Sequence, residues 1–159
     1  MGMVPPYHSP WWLVEEVGML DHLTGGRLEL GTSGGIPNEM ALIGLGSDEA
    51  RVRYDEAVEI IDKALACPVI SHHGKCWNFD NLRLTLRTIQ QPHPPKWVTV
   101  VSVSFARKAA RRGAKISTGF QGSTGFRNQG IEVLSHGCFL TSIGFAPTSS
   151  ARMFFSRRV

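Results

Sequence analysis

LVEEVGMLDHLTGGRLELG, residues Leu13 to Gly31, changes its period across one pair of glycines. Before the pair, Leu13, Val17, Leu20 and Thr24 fall on one helical stripe, widened by Val14 and Met19, with Glu15, Glu16 and Asp21 opposite. The helix predicted over 10–24 stops at Gly25-Gly26, where a left-handed cap is easily formed. After the pair, residues 27–31 alternate apolar and polar as a strand does.

On the C-terminal side, Thr32, Ser33, Gly34 and Gly35 read as a loop of little side-chain bulk, and residues 37–46 show punctuation without period. Ser47 is the expected N-cap of a second helix, with Asp48 and Glu49 favouring its dipole. Tyr54, Ala57, Val58, Ile61 and Leu65 give that helix its apolar stripe, and Pro68 ends it. Residues 69–96 read as a long excursion with one short strand near Leu82, Leu84 and Leu86. Trp97 to Val101 has the nearly unbroken apolar run of a strand buried on both faces. Ser102 or Ser104 caps a helix that runs to Arg112, Gly113 closes it, and Lys115 to Thr118 opens another strand. Alternating helices and strands predict an α/β fold with a parallel sheet.

The chain has 159 residues, 42% hydrophobic and 19% charged, which suits one globular domain. No apolar run is long enough for a membrane span, and the N-terminal residues lack a signal-peptide pattern, so the expected location is the cytoplasm. Cys67, Cys76 and Cys138 have neither disulfide nor zinc spacing and read as free thiols. Residues 1–106 hold 8 Lys/Arg against 12 Asp/Glu, whereas residues 107–159 hold 9 against 1. The basic part has no interleaved aromatic platforms, so no nucleic-acid partner is expected.

In a parallel sheet, ligands gather at the carboxyl ends of the strands. Thr32, Ser33, Gly34 and Gly35 would let a flat or phosphorylated ligand approach the backbone closely, although a plain turn explains the same residues. Ser102 and Ser104 at a helix start could seat a phosphate, and capping alone explains them too. His72-His73-x-x-Cys76 has no second ligand cluster, so no metal is expected. The carboxylate pairs Glu15/Glu16 and Asp55/Glu56 fall on solvated helix faces, His22 answers a helix dipole, and Trp11 and Trp12 pack against a neighbour. No nucleophile, base and orienter stand together, so catalytic residues stay unassigned.

Leu13 to Gly31 resembles the AEE-ML-DHLSGGRLELG segment of bacterial luciferase-like, flavin-dependent monooxygenases. Pro37-Asn38-Glu39, Ile43-Gly44 and Arg53-Tyr54-Asp55-Glu56-Ala57 agree in order, as do Gly74-x-x-Trp77, Gln91 to Pro95, Trp97 to Ser102, and Ala109 to Gly113. The resemblance covers about residues 8–120. It implies a (β/α)8 TIM barrel that uses reduced FMN, supplied by a flavin reductase, with O2 to oxidise a small organic substrate; in relatives the cofactor is the deazaflavin F420. It places Ser33 and Gly34 beside the isoalloxazine, and Ser102 and Ser104 at the flavin phosphate. Phe105 departs from the family, which more often has a small polar residue there.

A whole barrel takes about 250 residues. The expectation is therefore a partial barrel over 1–120, roughly helix 3 to strand 6, followed by an irregular basic tail over 121–159 that a disordered or frame-shifted segment would explain. The family's catalytic histidine has no counterpart here. The alternatives are an F420-dependent reductase or dehydrogenase of the same fold, and a non-catalytic α/β module that self-associates as a homo-oligomer.

Overall fold

The computed structural model describes residues 1–100 and 102–118. The tail expected over 121–159, and Cys138 within it, lie outside the described residues. The chain divides into two compact units, Met1–Pro94 and Pro95–Val159.

In the first unit, β1 (Gly2–Met3) and β2 (Leu30–Ser33) pair in parallel, with Gly2 opposite Gly31 and Met3 opposite Thr32. The chain between them makes a 3-10 turn at Pro5–Tyr7 and then α1 (Pro10–Leu23). The stripe of α1 is buried at Leu13, Val14 and Val17, against Leu28, Leu30, Ile60, Ile61 and Leu65. Asp21, expected on the solvated side, is instead fully buried, because a later segment of chain covers it. Trp11 packs edge to face on Phe79 at 5.3 Å, whereas Trp12, expected to pack as well, is largely exposed.

Leu28 and Leu30 are buried and Glu29 is exposed, so the alternation expected over 27–31 is present. The strand nevertheless starts only at Leu30, where β1 supplies a partner, and it takes in Thr32 and Ser33, for which the sequence predicts a loop. Residues 37–46 also hold more structure than their punctuation suggested. Pro37 opens a short helix, α2 (Pro37–Leu42), because its fixed φ suits a first helical position.

The next helix, α3 (Ser47–Ala66), is capped by the backbone of Gly46, and Ser47 is its first residue rather than its N-cap. Its buried face is Ala50, Tyr54, Ala57, Ile60, Ile61, Ala64 and Leu65. The expected excursion contains a hairpin of two antiparallel strands, β3 (Val69–His73) and β4 (Asn78–Arg83), with Ile70 opposite Leu82 and His72 opposite Phe79.

In the second unit, β5 (Lys96–Val100) and β6 (Lys115–Thr118) pair in parallel with α4 (Val103–Arg111) between them in sequence. Val98, Val100, Ala106, Ala109 and Ile116 form its core. Thr99 is exposed, so β5 buries one face rather than two. Gly113 takes φ +69° just after α4, the left-handed conformation that closes a helix.

Candidate functional site

The residues singled out by the sequence stand at the carboxyl ends of β2 and β5. Ser33 is the last residue of β2 and is partly exposed. The residue before it, Thr32, is buried with its Oγ1 3.0 Å from the Tyr54 hydroxyl on α3. Successive strand residues face opposite sides, so anchoring Thr32 on α3 turns Ser33 the other way. Gly34 follows, and a Cβ added to it would meet nothing within 4 Å. A side chain would thus meet no neighbour on that side of its backbone. At Gly35 the φ is +85°, and an added Cβ would collide with the Tyr7 hydroxyl.

Two residues beyond β5, Ser102 has extended backbone and caps α4. Its Oγ accepts a 3.3 Å hydrogen bond from the Phe105 N–H. The Ser104 hydroxyl lies 3.2 Å from Ser102 Oγ. A hydroxyl carries one donor and two lone pairs, so this pair caps the helix and still has a donor to offer. No acidic residue stands in the first turn, and the helix dipole favours an anion there. Phe105, the departure from the family pattern, packs its ring against the core of the unit and contributes its backbone N–H at the cap. The structure thus brings Ser33 beside Gly34, and Ser102 beside Ser104.

The carboxylates assigned to solvated faces have other work. Glu56 on α3 accepts hydrogen bonds from the backbone N–H groups of Lys75, Cys76 and Trp77 and lies 3.1 Å from His72 Nε2. Burial pushes its carboxyl up, but the Trp77 and Cys76 N–H groups and the His72 ring outweigh this and leave it below its ordinary value. Burial and the Glu56 carboxylate push the Cys76 thiol up, which keeps it protonated and a poor nucleophile. Glu15 on α1 accepts from the N–H groups of Thr85 and Leu86, and Asp21 accepts from the backbone and side-chain amides of Gln90. His22 Nε2 lies 2.9 Å from the Arg87 carbonyl. These groups hold loops, and a one-dimensional pattern gave no sign of which loop would come to them. The Tyr54 hydroxyl contact with Thr32 and the place of Tyr7 beside Gly35 escape the sequence for the same reason, although the buried position of Tyr54 on its helix stripe is as expected.

Among the described residues no group of three or more His, Cys, Asp or Glu side chains could hold a metal ion, and no helix is long and apolar enough to cross a membrane.

Residues 1–128 match the family model described as luciferase-like monooxygenase. An uncharacterized protein of Sinorhizobium fredii is 41% identical over 104 residues, 65% of this chain and 30% of that one. The crystal structure of a monooxygenase from Streptomyces bottropensis superposes with a TM-score of 0.68 at 30% identity, covering 72% of this chain and 36% of that one. The oxygenating constituent of 3,6-diketocamphane monooxygenase from Pseudomonas putida, solved in complex with FMN, gives 0.63 at 23% identity, covering 77% and 39%. The chain spans about a third of the length of these relatives.

Proposed function

Because the chain belongs to the luciferase-like monooxygenase family and has part of its TIM-barrel fold, we propose that it serves the oxidation of a small organic substrate by O2 and reduced FMN. The observation that carries this reading is the Ser102–Ser104 pair at the first turn of α4. Two hydroxyls, a helix N-terminus and no nearby acidic residue in that turn suit the flavin phosphate. Gly34, open to a flat ring, and Ser33 beside it suit the isoalloxazine edge. When bound, reduced flavin supplies the electrons with which O2 gives one oxygen atom to the substrate and the other to water. This chain's part is to seat and orient the cofactor. A flavin reductase is the partner class that would renew the reduced form.

Titration of the purified chain with oxidised FMN, reduced FMN, riboflavin and F420 tests the reading, with flavin fluorescence and thermal stability followed together. Saturable FMN binding that raises Tm, with riboflavin weaker for want of the phosphate, supports it. Preference for F420 moves the assignment to the reductases of the same fold. No binding of any flavin, together with concentration-dependent assembly, would sink it in favour of a self-associating module.

A further inference from the structure

Tyr7 closes the 3-10 turn that follows β1, and its ring packs against the buried cluster of Met40, Leu45 and Ala50. That cluster joins α2, the segment after it and α3, so the ring has little freedom. Its hydroxyl end fills the space beside Gly35. A Cβ at Gly35 would collide with the hydroxyl oxygen, lie 2.9 Å from Tyr7 Cζ and lie 3.1 Å from Val4 Cγ1. One residue earlier, at Gly34, the space is empty to 4 Å. The turn after β2 is therefore closely backed at Gly35 and open to a side chain one residue earlier. The Tyr7 oxygen is shielded from water, and its polar neighbours are the Ile36 N–H and the Glu39 carboxylate.

We infer that Tyr7 is a positioning residue: its clamped ring backs Gly35 and so fixes the backbone of Ser33 and Gly34 in the shape that leaves Gly34 open to a planar ligand. The ligand part of this inference rests on the flavin reading above, whereas the hold on the turn does not. Without the ring, Gly35 at φ +85° loses its two nearest contacts on that side, and glycine samples other backbone regions freely.

The test compares the full chain with Tyr7→Phe, Tyr7→Ala and Tyr7→Leu, the last keeping apolar bulk against Met40 and Leu45 in case the alanine variant fails to fold. Two quantities are read: amide hydrogen exchange at Gly34, Gly35 and Ile36 without ligand, and the Kd for FMN at a temperature well below each Tm. Loss of the ring is expected to speed exchange at those three amides at least tenfold and to weaken FMN at least tenfold, while Tyr7→Phe, which removes the atom nearest Gly35 but keeps Cζ behind it, falls between the unaltered chain and the alanine variant in both. A merely structural role would lower Tm without this local pattern. Unchanged exchange in the alanine and leucine variants overturns the inference, as does equal damage by Tyr7→Phe. If the unaltered chain binds no flavin, the functional reading fails, and the exchange comparison still decides whether Tyr7 holds the turn.

Discussion

Glu56 Oε1 lies 3.1 Å from His72 Nε2, and both side chains are nearly closed off from water. The same carboxylate takes the three consecutive N–H groups of the hairpin turn, so one helix residue satisfies donors that the turn itself cannot. Replacing it should leave several buried or half-buried donors without an acceptor. Glu56→Ala is expected to cost about 1–3 kcal/mol in urea unfolding. A loss below a few tenths of a kcal/mol would mean that water takes the place of the carboxylate.

The pH dependence of that contact has a definite sign. Because the Glu56 carboxyl is depressed in the folded chain, its contribution is complete above the unfolded carboxyl value of about 4.3 and is lost as pH falls through the lower folded value. Stability of the unaltered chain should therefore drop more steeply below pH 4 than that of Glu56→Gln. Parallel acid limbs for the two proteins would contradict the assignment.

Gly34 and Gly35 should respond to alanine in opposite ways. At Gly35 the positive φ alone costs about 1–2 kcal/mol, and the added carbon runs into Tyr7, so Tm is expected to fall by several degrees. At Gly34 an alanine fits without contact. Its Tm should stay within about a degree or two while FMN binding weakens, because the methyl group occupies the approach to the backbone. Full FMN affinity in Gly34→Ala would remove that glycine from the site.

Ser102→Ala removes the cap of α4 and one of the two hydroxyls. The expected cost is about 1 kcal/mol of stability. The ratio of FMN to riboflavin affinity is also expected to fall toward one. Ser104→Ala, which leaves the Phe105 N–H bond to Ser102 in place, should lower the ratio with less effect on stability. A ratio untouched by both changes would put the phosphate elsewhere.

The long elements were legible in the sequence because their burial repeats at the helical period: α1 buries Leu13, Val14 and Val17 and α3 buries Tyr54, Ala57, Ile61 and Leu65 as the spacing predicts, although Met19, expected to widen the stripe of α1, is exposed. Short elements were not. β1 is two residues long, too short for any period, and it exists because residues 29 positions later pair with it, Gly2 with Gly31 and Met3 with Thr32. In β3 the inward positions are Ile70 and His72, so a polar residue interrupts the alternation that marks a strand. Asp21 reads as solvent-facing by its charge, yet it stands four residues after Val17 and seven after Val14 on the buried face, and the segment that covers it comes 69 residues later. At the site, the strand-end serines and glycines stood out by type. The contact of Tyr7 with Gly35 and the bond of Thr32 to Tyr54 depend on tertiary placement and leave no local signal.

Glu15, Asp21 and His22 hold backbone or side-chain groups of Thr85, Leu86, Arg87 and Gln90, all 65 to 71 positions downstream. Joining points so distant costs loop entropy that local contacts do not repay, so these bonds close after the helices they tie have docked. Their energy then falls on the escape side of the folding barrier. Asp21→Asn is expected to raise the unfolding rate and to leave the refolding rate nearly unchanged in stopped-flow mixing, and a slowed refolding limb would place the latch early instead. The segment from 85 to 90 thereby sets how long the first unit lasts once formed, rather than how quickly it is reached.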